Sequence, residues 1–286
     1  MLFLCLWSLI LASLGVGAGR FLARRGVALN GTIASPQVQR AILLALAAVP
    51  LAVIGLILAD KNNLIYPATR FFPLEPSLYL GAYALDLIIG LIVGAMGVLI
   101  GLEIFGRSDA QSRINLFASL AVIAIFASFL IHKTLPIGAG LGKPEIIDER
   151  WVLQTTHYTC APASIATLGR LTGKHPQLTE KEAALLAQTD RLGTSALGEL
   201  RTLRKLGFQP QYHNDFTPED LANLSSPAIL HVREKIGQRV FPHAIVFLGV
   251  NPETQSIKVV NPLYGPMEKK YSELAGYWNG EIITLD

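Results

Sequence analysis

An α-helical membrane region followed by an α+β domain is the architecture this sequence predicts, and three observations predict it. The first is charge: of 286 residues only 16% are charged while 51% are hydrophobic, against roughly 25% charged in an ordinary soluble domain. The second is its distribution, since residues 1–140 hold 9 Lys and Arg with 5 Asp and Glu, and residues 141–286 hold 15 with 16. The third is pattern, with long apolar runs in the first half and short helical segments followed by short β-rich segments in the second. The net charge of +3 divides into +4 and −1 between the halves, so no basic surface is large enough to track a phosphate backbone and nucleic acid is not an expected partner. Cys5 lies in an apolar run and Cys160 far away in the polar half. They provide neither a disulfide framework nor paired ligands for zinc, and no metal or other cofactor is expected.

The membrane region is expected over residues 1–135, with helices at 2–21, 41–59, 78–102 and 114–131. Each run approaches the roughly 20 residues that cross about 30 Å of hydrocarbon, which makes membrane lipid a partner. A short polar turn (Glu103, Arg107, Asp109, Arg113) joins the last two as a helical hairpin. Val16 and Ala18 could precede a signal cleavage site, but the first run has no basic segment before it, so it reads as a span. Its basic cluster follows instead: Arg20, Arg24, Arg25 and Arg40 make the first loop cytoplasmic by the positive-inside rule. Counting through the spans puts the C-terminal half on the extracytoplasmic side, an orientation that a signal-peptide reading would reverse. Gly90, Gly94, Gly97 and Gly101 share one face of the third span and permit close approach of another helix, from this chain or a second copy. Asp86 in the same span reads as a partly solvated interface residue.

Residues 136–150 are expected to form a linker. Gly138 to Lys143 superficially resembles a phosphate-binding loop, but Ile137 stands where its first glycine belongs and Pro144 where Ser or Thr must follow the lysine. ATP is therefore not an expected ligand.

In the polar domain, 151–286, Thr179 with Glu182 predicts a capping box opening a helix through Gln188, and Ser195 opens another that stops at Gly207. Thr217 followed by Pro218 marks a third start. Strands are predicted at 228–232, 240–250, 257–260 and 281–285, with Asn251, Pro252 and Glu253 as a hairpin turn. Helices first and strands later argue α+β rather than alternating βαβ units.

The segment from Gln154 to Ser164, with Cys160 at its centre, carries the chemistry. Cys160 precedes a helical run, Ile165 to Leu171, so its sulfur is expected near a helix N-terminus, where the dipole and free N–H groups favour thiolate. Gln154 can turn its amide toward the oxyanion that forms when a thiolate attacks a carbonyl, with the Cys160 N–H as second donor. His243 begins one apolar strand and Asn261 ends the next. Adjacent antiparallel strands would bring them together, His243 as base and Asn261 holding its imidazole. A buried inert thiol is the alternative for Cys160. His157 is too close in sequence to be the base, and His132, His175, His213 and His231 read as interfacial, surface or packing residues. Asp215 and Asp220 lie by a helix start, where capping explains them; Trp151 and Trp278 read as core aromatics before groove walls.

The order Gln154, Cys160, His243, Asn261 resembles papain-like cysteine peptidases. The wider pattern is similar to the bacteriocin-processing peptidases that cut double-glycine leaders: Cys160-Ala161-Pro162-Ala163-Ser164, Gly193-Thr194-Ser195, Pro227 to Leu230, Asn261-Pro262, and Ser272-Glu273-Leu274 before Trp278. The resemblance covers Gln154 to the C-terminus and implies a papain-like α+β fold with Cys160, His243 and Asn261 as catalytic residues and Gln154 in the oxyanion hole. Ala161 stands where the family commonly has Gly, and Asn261 where it commonly has Asp. The well-known leader peptidases are joined to an exporter and an ATPase, and here the domain follows four expected spans. The expected activity is a membrane-anchored cysteine peptidase acting on a peptide or protein substrate. A peptide-binding module that does not cut, and acyl transfer to an amine, are the alternatives on the same residues.

Overall fold

The computed structural model describes residues 2–27, 73–106, 131–137 and 140–285, with isolated positions between 114 and 128. The span expected at 41–59 and most of that at 114–131 lie outside the described residues. The chain divides into two compact units, Met1–His132 and Lys133–Asp286.

In the first unit, helix α1 is Leu2–Arg24 and helix α2 is Leu74–Phe105. Both run past the expected bounds, because apolar length is a poorer marker of a helix end than backbone bonding: α2 starts right after Pro73, carries Glu75 in its first turn, and stops at Gly106. The portions Phe3–Arg24 and Gly81–Phe105 are long and apolar enough, by length and composition, to cross a membrane. The two helices pack through their small residues. Gly94 and Gly97 face Leu11, Ala12 and Gly15, and Gly101 faces Val16 and Gly19. A Cβ on Gly94 would sit 3.2 Å from that of Leu11, so the glycines are what let the backbones approach. The Trp7 indole lies against Gly90 and donates to the Leu87 carbonyl at 3.3 Å. Leu6, Leu9, Leu14 and Phe21 of α1, and Leu91 and Ile104 of α2, remain exposed.

The second unit begins earlier than expected. Within the stretch 136–150 the Ile137 N–H bonds the Thr189 carbonyl at 3.0 Å, and β1, Ile146–Ile147, pairs with β2, Trp151–Val152. The expected linker is thus tied to the domain it leads into. Then come α3 (Cys160–Leu171), α4 (Glu180–Ala187), α5 (Ala196–Lys205), β3 (Pro210–His213) and α6 (Pro218–Ala222). The chain ends with β4 (Ala228–Ile236), β5 (Arg239–Asn251), β6 (Ser256–Asn261), β7 (Gly265–Lys270), the short α7 (Tyr271–Leu274) and β8 (Trp278–Leu285). The six strands form one antiparallel sheet in the order β3-β8-β4-β5-β6-β7.

Capping chemistry starts α4 and α6 as the residues predict. Thr179 accepts the Glu182 N–H at 3.2 Å while Glu182 accepts the Thr179 N–H at 2.9 Å, and Thr217 and Asp220 repeat the arrangement. Helix α3 is buried along nearly its whole length, from Ala161 to Gly169. Its composition of Ala, Ile and Leu suits both helix propensity and burial on several sides, and Pro162 falls in the first turn, where its missing N–H has no intrahelical partner to lose. The sheet core includes Leu230, Val232, Ile245, Phe247, Val259 and Trp278, each large side chain contributing roughly 1.5–3 kcal/mol on burial. Strands β3 and β7 were not anticipated. They are the sheet's edges, and their sequences, PQYH and GPMEKK, follow the edge preference for Pro and charge in place of an apolar alternation.

Candidate active site

Cys160 is the first residue of α3, and the fold leaves the N-terminus of that helix open. Thr159 at the cap position makes no capping bond. Its hydroxyl turns back into the preceding loop, donating to the Thr156 carbonyl at 3.0 Å and accepting the Thr156 N–H at 3.2 Å. With Pro162 at the third helical position, the N–H that a cap would have occupied is that of Ala161, and it is left to act on the sulfur. Burial pushes the Cys160 thiol up to about 11, and the Glu199 charge pushes the same way; the N–H groups of Ala244, Ala161 and Cys160 itself pull against them. The helix terminus does favour thiolate, as the sequence suggested, but desolvation outweighs it. A lone Cys160 therefore stays a thiol at neutral pH, and thiolate requires a partner that takes the proton.

The start of α3 lies against strand β5 one residue beyond His243. The Ser164 hydroxyl, one helical turn along α3, donates to the Ala244 carbonyl at 3.1 Å and fixes the same contact. His243 is only 4% exposed. Its Nε2 lies 2.9 Å from Asn261 Oδ1. Two further bonds determine which end of the Asn261 amide is oxygen: the Leu263 N–H donates to Oδ1 at 2.9 Å, and Nδ2 donates to Glu234 Oε2 at 2.8 Å. Turning the amide over would set donor against donor and acceptor against acceptor. Oδ1 therefore accepts, Nε2 carries the proton, and in the neutral ring Nδ1 is the basic nitrogen. Burial lowers the pKa of His243, while Asn261 and the Glu234 charge act to raise it.

Behind Asn261, the buried Glu234 also accepts the Tyr277 hydroxyl at 2.9 Å. Burial and the Glu234 charge raise the Tyr277 pKa, which keeps the phenol a donor. Neither Glu234 nor Tyr277 stood out in the sequence. The only available signal was an acid at a position of β4 that reads as buried.

Gln154 lies in the loop before α3, its N–H bonded to the Pro262 carbonyl at 2.9 Å, next to Asn261. One hydrogen of its amide goes to the Thr156 carbonyl at 2.7 Å, which leaves a second. The loop is also held by Glu180, at the start of α4, whose Oε1 accepts the Thr155 N–H at 2.8 Å. Gln154 Oε1, Thr155 Oγ1 and Glu180 Oε2 are buried without a hydrogen-bond partner.

The remaining candidates fall elsewhere. His157 is exposed against Tyr158, Asp215 is exposed, and Asp220 caps α6. His175 bonds the Leu206 carbonyl at 2.8 Å. Trp278 is in the core, its indole donating to the Glu281 carbonyl at 2.8 Å. His231 is more than a packing residue: Nε2 lies 3.1 Å from both oxygens of the buried Glu199, and Nδ1 lies 3.8 Å from Glu281. Burial opposes its charge, yet the two carboxylates prevail and hold it up to about 9. Among the described residues no group of three or more His, Cys, Asp and Glu is placed to hold a metal ion.

No curated protein matches. Among solved structures, the peptidase domain of Streptococcus ComA, a bi-functional ABC transporter of a quorum-sensing pathway, is similar at 26% identity and a TM-score of 0.41, covering 46% of this chain and 94% of its own. A double glycine motif protease from an AMS/PCAT transporter, solved with its leader peptide, is similar at 19% identity and a TM-score of 0.41, covering 50% and 93%. The peptidase domain of Streptococcus mutans ComA gives 26% identity and a TM-score of 0.37, covering 48% and 98%. Residues 148–286, just under half of the chain, match the model of the Peptidase C39 family.

Proposed function

We propose that the chain is a membrane-anchored cysteine peptidase that cuts leader-bearing or membrane-associated peptides, with Cys160, His243 and Asn261 as its triad. The observation that carries this is the Asn261 amide, fixed by its two other partners so that it accepts from His243 Nε2 and leaves Nδ1 basic. Burial favours the neutral form of Cys160 and His243 taken singly. A proton passed from sulfur to Nδ1 makes two opposite charges at once, and their attraction offsets the desolvation each would suffer alone. The thiolate attacks the peptide carbonyl, forming the C–S bond. The oxyanion accepts the free Gln154 amide hydrogen and the Cys160 N–H. His243 gives its proton to the leaving amine as the C–N bond breaks, then takes one from the water that hydrolyses the thioester.

Helices α1 and α2 support anchoring by their length, their apolar composition and their exposed apolar side chains. Arg20 and Arg24 near the end of α1, with Arg25 just after it, support a cytoplasmic first loop and an extracytoplasmic peptidase domain. A C-terminal reporter active only in the cytoplasm would overturn that orientation. The activity is tested with the full chain in detergent and a synthetic double-glycine leader peptide. Cleavage by the parent and none by Cys160→Ala is expected. Binding of the peptide by both without cleavage would favour a module that holds peptides, and an amide product in excess amine would favour acyl transfer.

A further inference from the structure

His243 is steadied by an amide, which accepts a hydrogen bond but bears no charge. Yet an imidazolium forms in the reaction, inside a region where His243 is 4% exposed and Asn261 fully buried. A carboxylate stands directly behind the amide: Glu234, itself 7% exposed, accepts Asn261 Nδ2 at 2.8 Å and the Tyr277 hydroxyl at 2.9 Å, both on Oε2. The register explains its reach. Val232 of β4 pairs with His243 of β5, and Glu234 is two residues further along β4, paired with Phe241. Other charged or titratable groups close to this network are Lys269 of β7, whose Nζ lies 4.1 Å from the centre of the Tyr277 ring, and Tyr264, which interacts electrostatically with Tyr277.

We infer that Glu234 is a positioning residue of the site: its carboxylate locks the Asn261 amide in the orientation that accepts from His243, and supplies through that amide the negative charge that Asn261 lacks. The orientation follows from the bonds. Nδ2 only donates and a carboxylate only accepts, so Glu234 selects the Oδ1-to-histidine arrangement and disfavours its reverse. The charge follows from distance: a carboxylate in contact with the group that touches the imidazole, in a site sheltered from water, favours the protonated ring. Tyr277 donates to the same oxygen and keeps the carboxylate turned toward Asn261. This inference rests on the peptidase reading, so its test must separate the two.

The test is the alkylation rate of Cys160 by iodoacetamide in the full chain in detergent, at neutral pH and near pH 11. At neutral pH the thiolate needs the imidazolium; at high pH it does not. Glu234→Gln keeps an oxygen able to accept both bonds and removes only the charge. The expected result is a neutral-pH rate about tenfold lower with the high-pH rate unchanged. Adding Asn261→Asp to Glu234→Gln moves the charge onto the residue that touches His243, and should restore the neutral-pH rate. An unchanged neutral rate in Glu234→Gln, an equal fall at both pH values, or a double variant no better than the single one would overturn the inference while leaving the triad standing. If His243→Ala alkylates like the parent at neutral pH, the triad reading and this inference fail together.

Discussion

On the sheet side of the site a ring nitrogen, an amide, a carboxylate and a phenol are joined in one chain of hydrogen bonds, His243 to Asn261 to Glu234 to Tyr277. On the helix side, Gln154, Thr155 and Glu180 each keep a buried oxygen without a partner. An unsatisfied buried polar atom costs about 1–3 kcal/mol, so the contrast is energetic as well as geometric. On the peptidase reading, the base is set by the fold before any peptide arrives. The loop that on the same reading faces the developing oxyanion is held by bonds of its own, the Thr155 N–H to Glu180 and the Gln154 N–H to Pro262 among them. Loss of a sheet-side residue should therefore alter the resting chemistry of Cys160, whereas loss of a helix-side residue should alter only what happens after attack.

The largest expected effect breaks the sheet side. In His243→Ala the sulfur has no proton acceptor, and burial holds the thiol up at about 11. Peptide hydrolysis should fall on the order of 10³-fold or more, and the pH profile of Cys160 alkylation should move from below the ordinary thiol range to near the buried value. Alkylation that stays fast at neutral pH would show that the helix N-terminus activates the sulfur unaided. Gln154→Ala breaks the other side. Its expected signature is a drop in kcat of about 10²- to 10³-fold with KM little changed, and Cys160 alkylation unmoved at every pH. A parallel fall in alkylation would mean that the two sides are not separable.

A smaller effect concerns the tie between the two sides, the ion pair of Glu199 on α5 with His231 on β4. The His231 pKa is raised to about 9, so its contribution to stability is complete below the unfolded value of roughly 6.5 and is lost as pH rises through the folded value. Glu199→Gln keeps a hydrogen bond and removes the charge. With His231 still 17% exposed, the expected loss is about 2 kcal/mol at pH 6, shrinking toward zero above about pH 9. Thermal unfolding of the full chain across that range measures it. Since the Glu199 charge also raises the Cys160 thiol, the same variant should alkylate faster at a given pH. One substitution is thus expected to lower stability and raise reactivity.

The helix starts were legible because capping is local: Thr179, Ser195 and Thr217 accept N–H groups from residues 182, 198 and 220, three positions on. The central strands were legible because burial on both faces demands apolar runs such as Ala244 to Leu248. The edge strands β3 and β7 were not, since an edge carries Pro and charge and has no apolar signature. Among site residues, Gln154, Cys160, His243 and Asn261 could be named from residue type, order and resemblance. Glu234 and Tyr277 could not, because their role depends on cross-strand register and on a contact between residues 43 positions apart. From sequence alone His231 reads as an interfacial, surface or packing residue for the same reason: its partner Glu199 lies 32 positions away.

The smallest predicted effect tests how far the helix side depends on α4. Thr179 caps α4 and accepts from Glu182, and the next residue, Glu180, holds the Thr155 N–H of the loop that carries Gln154. Thr179→Ala removes the hydroxyl from the capping box at an expected cost of about 1 kcal/mol. The two bonds from Thr179 also hold the Glu182 carboxyl below its ordinary range. The stability from that depressed pKa is present above the unfolded value and is lost as pH falls through the folded one, so the gap between parent and variant should narrow in acid to what the bond from the Glu182 N–H to Thr179 Oγ1 contributes. If frayed capping reaches the loop, kcat should fall modestly while the Cys160 alkylation profile stays that of the parent. A change in that profile would place α4 in control of the sheet side as well, and the division between a preset base and a separately held oxyanion loop would have to be abandoned.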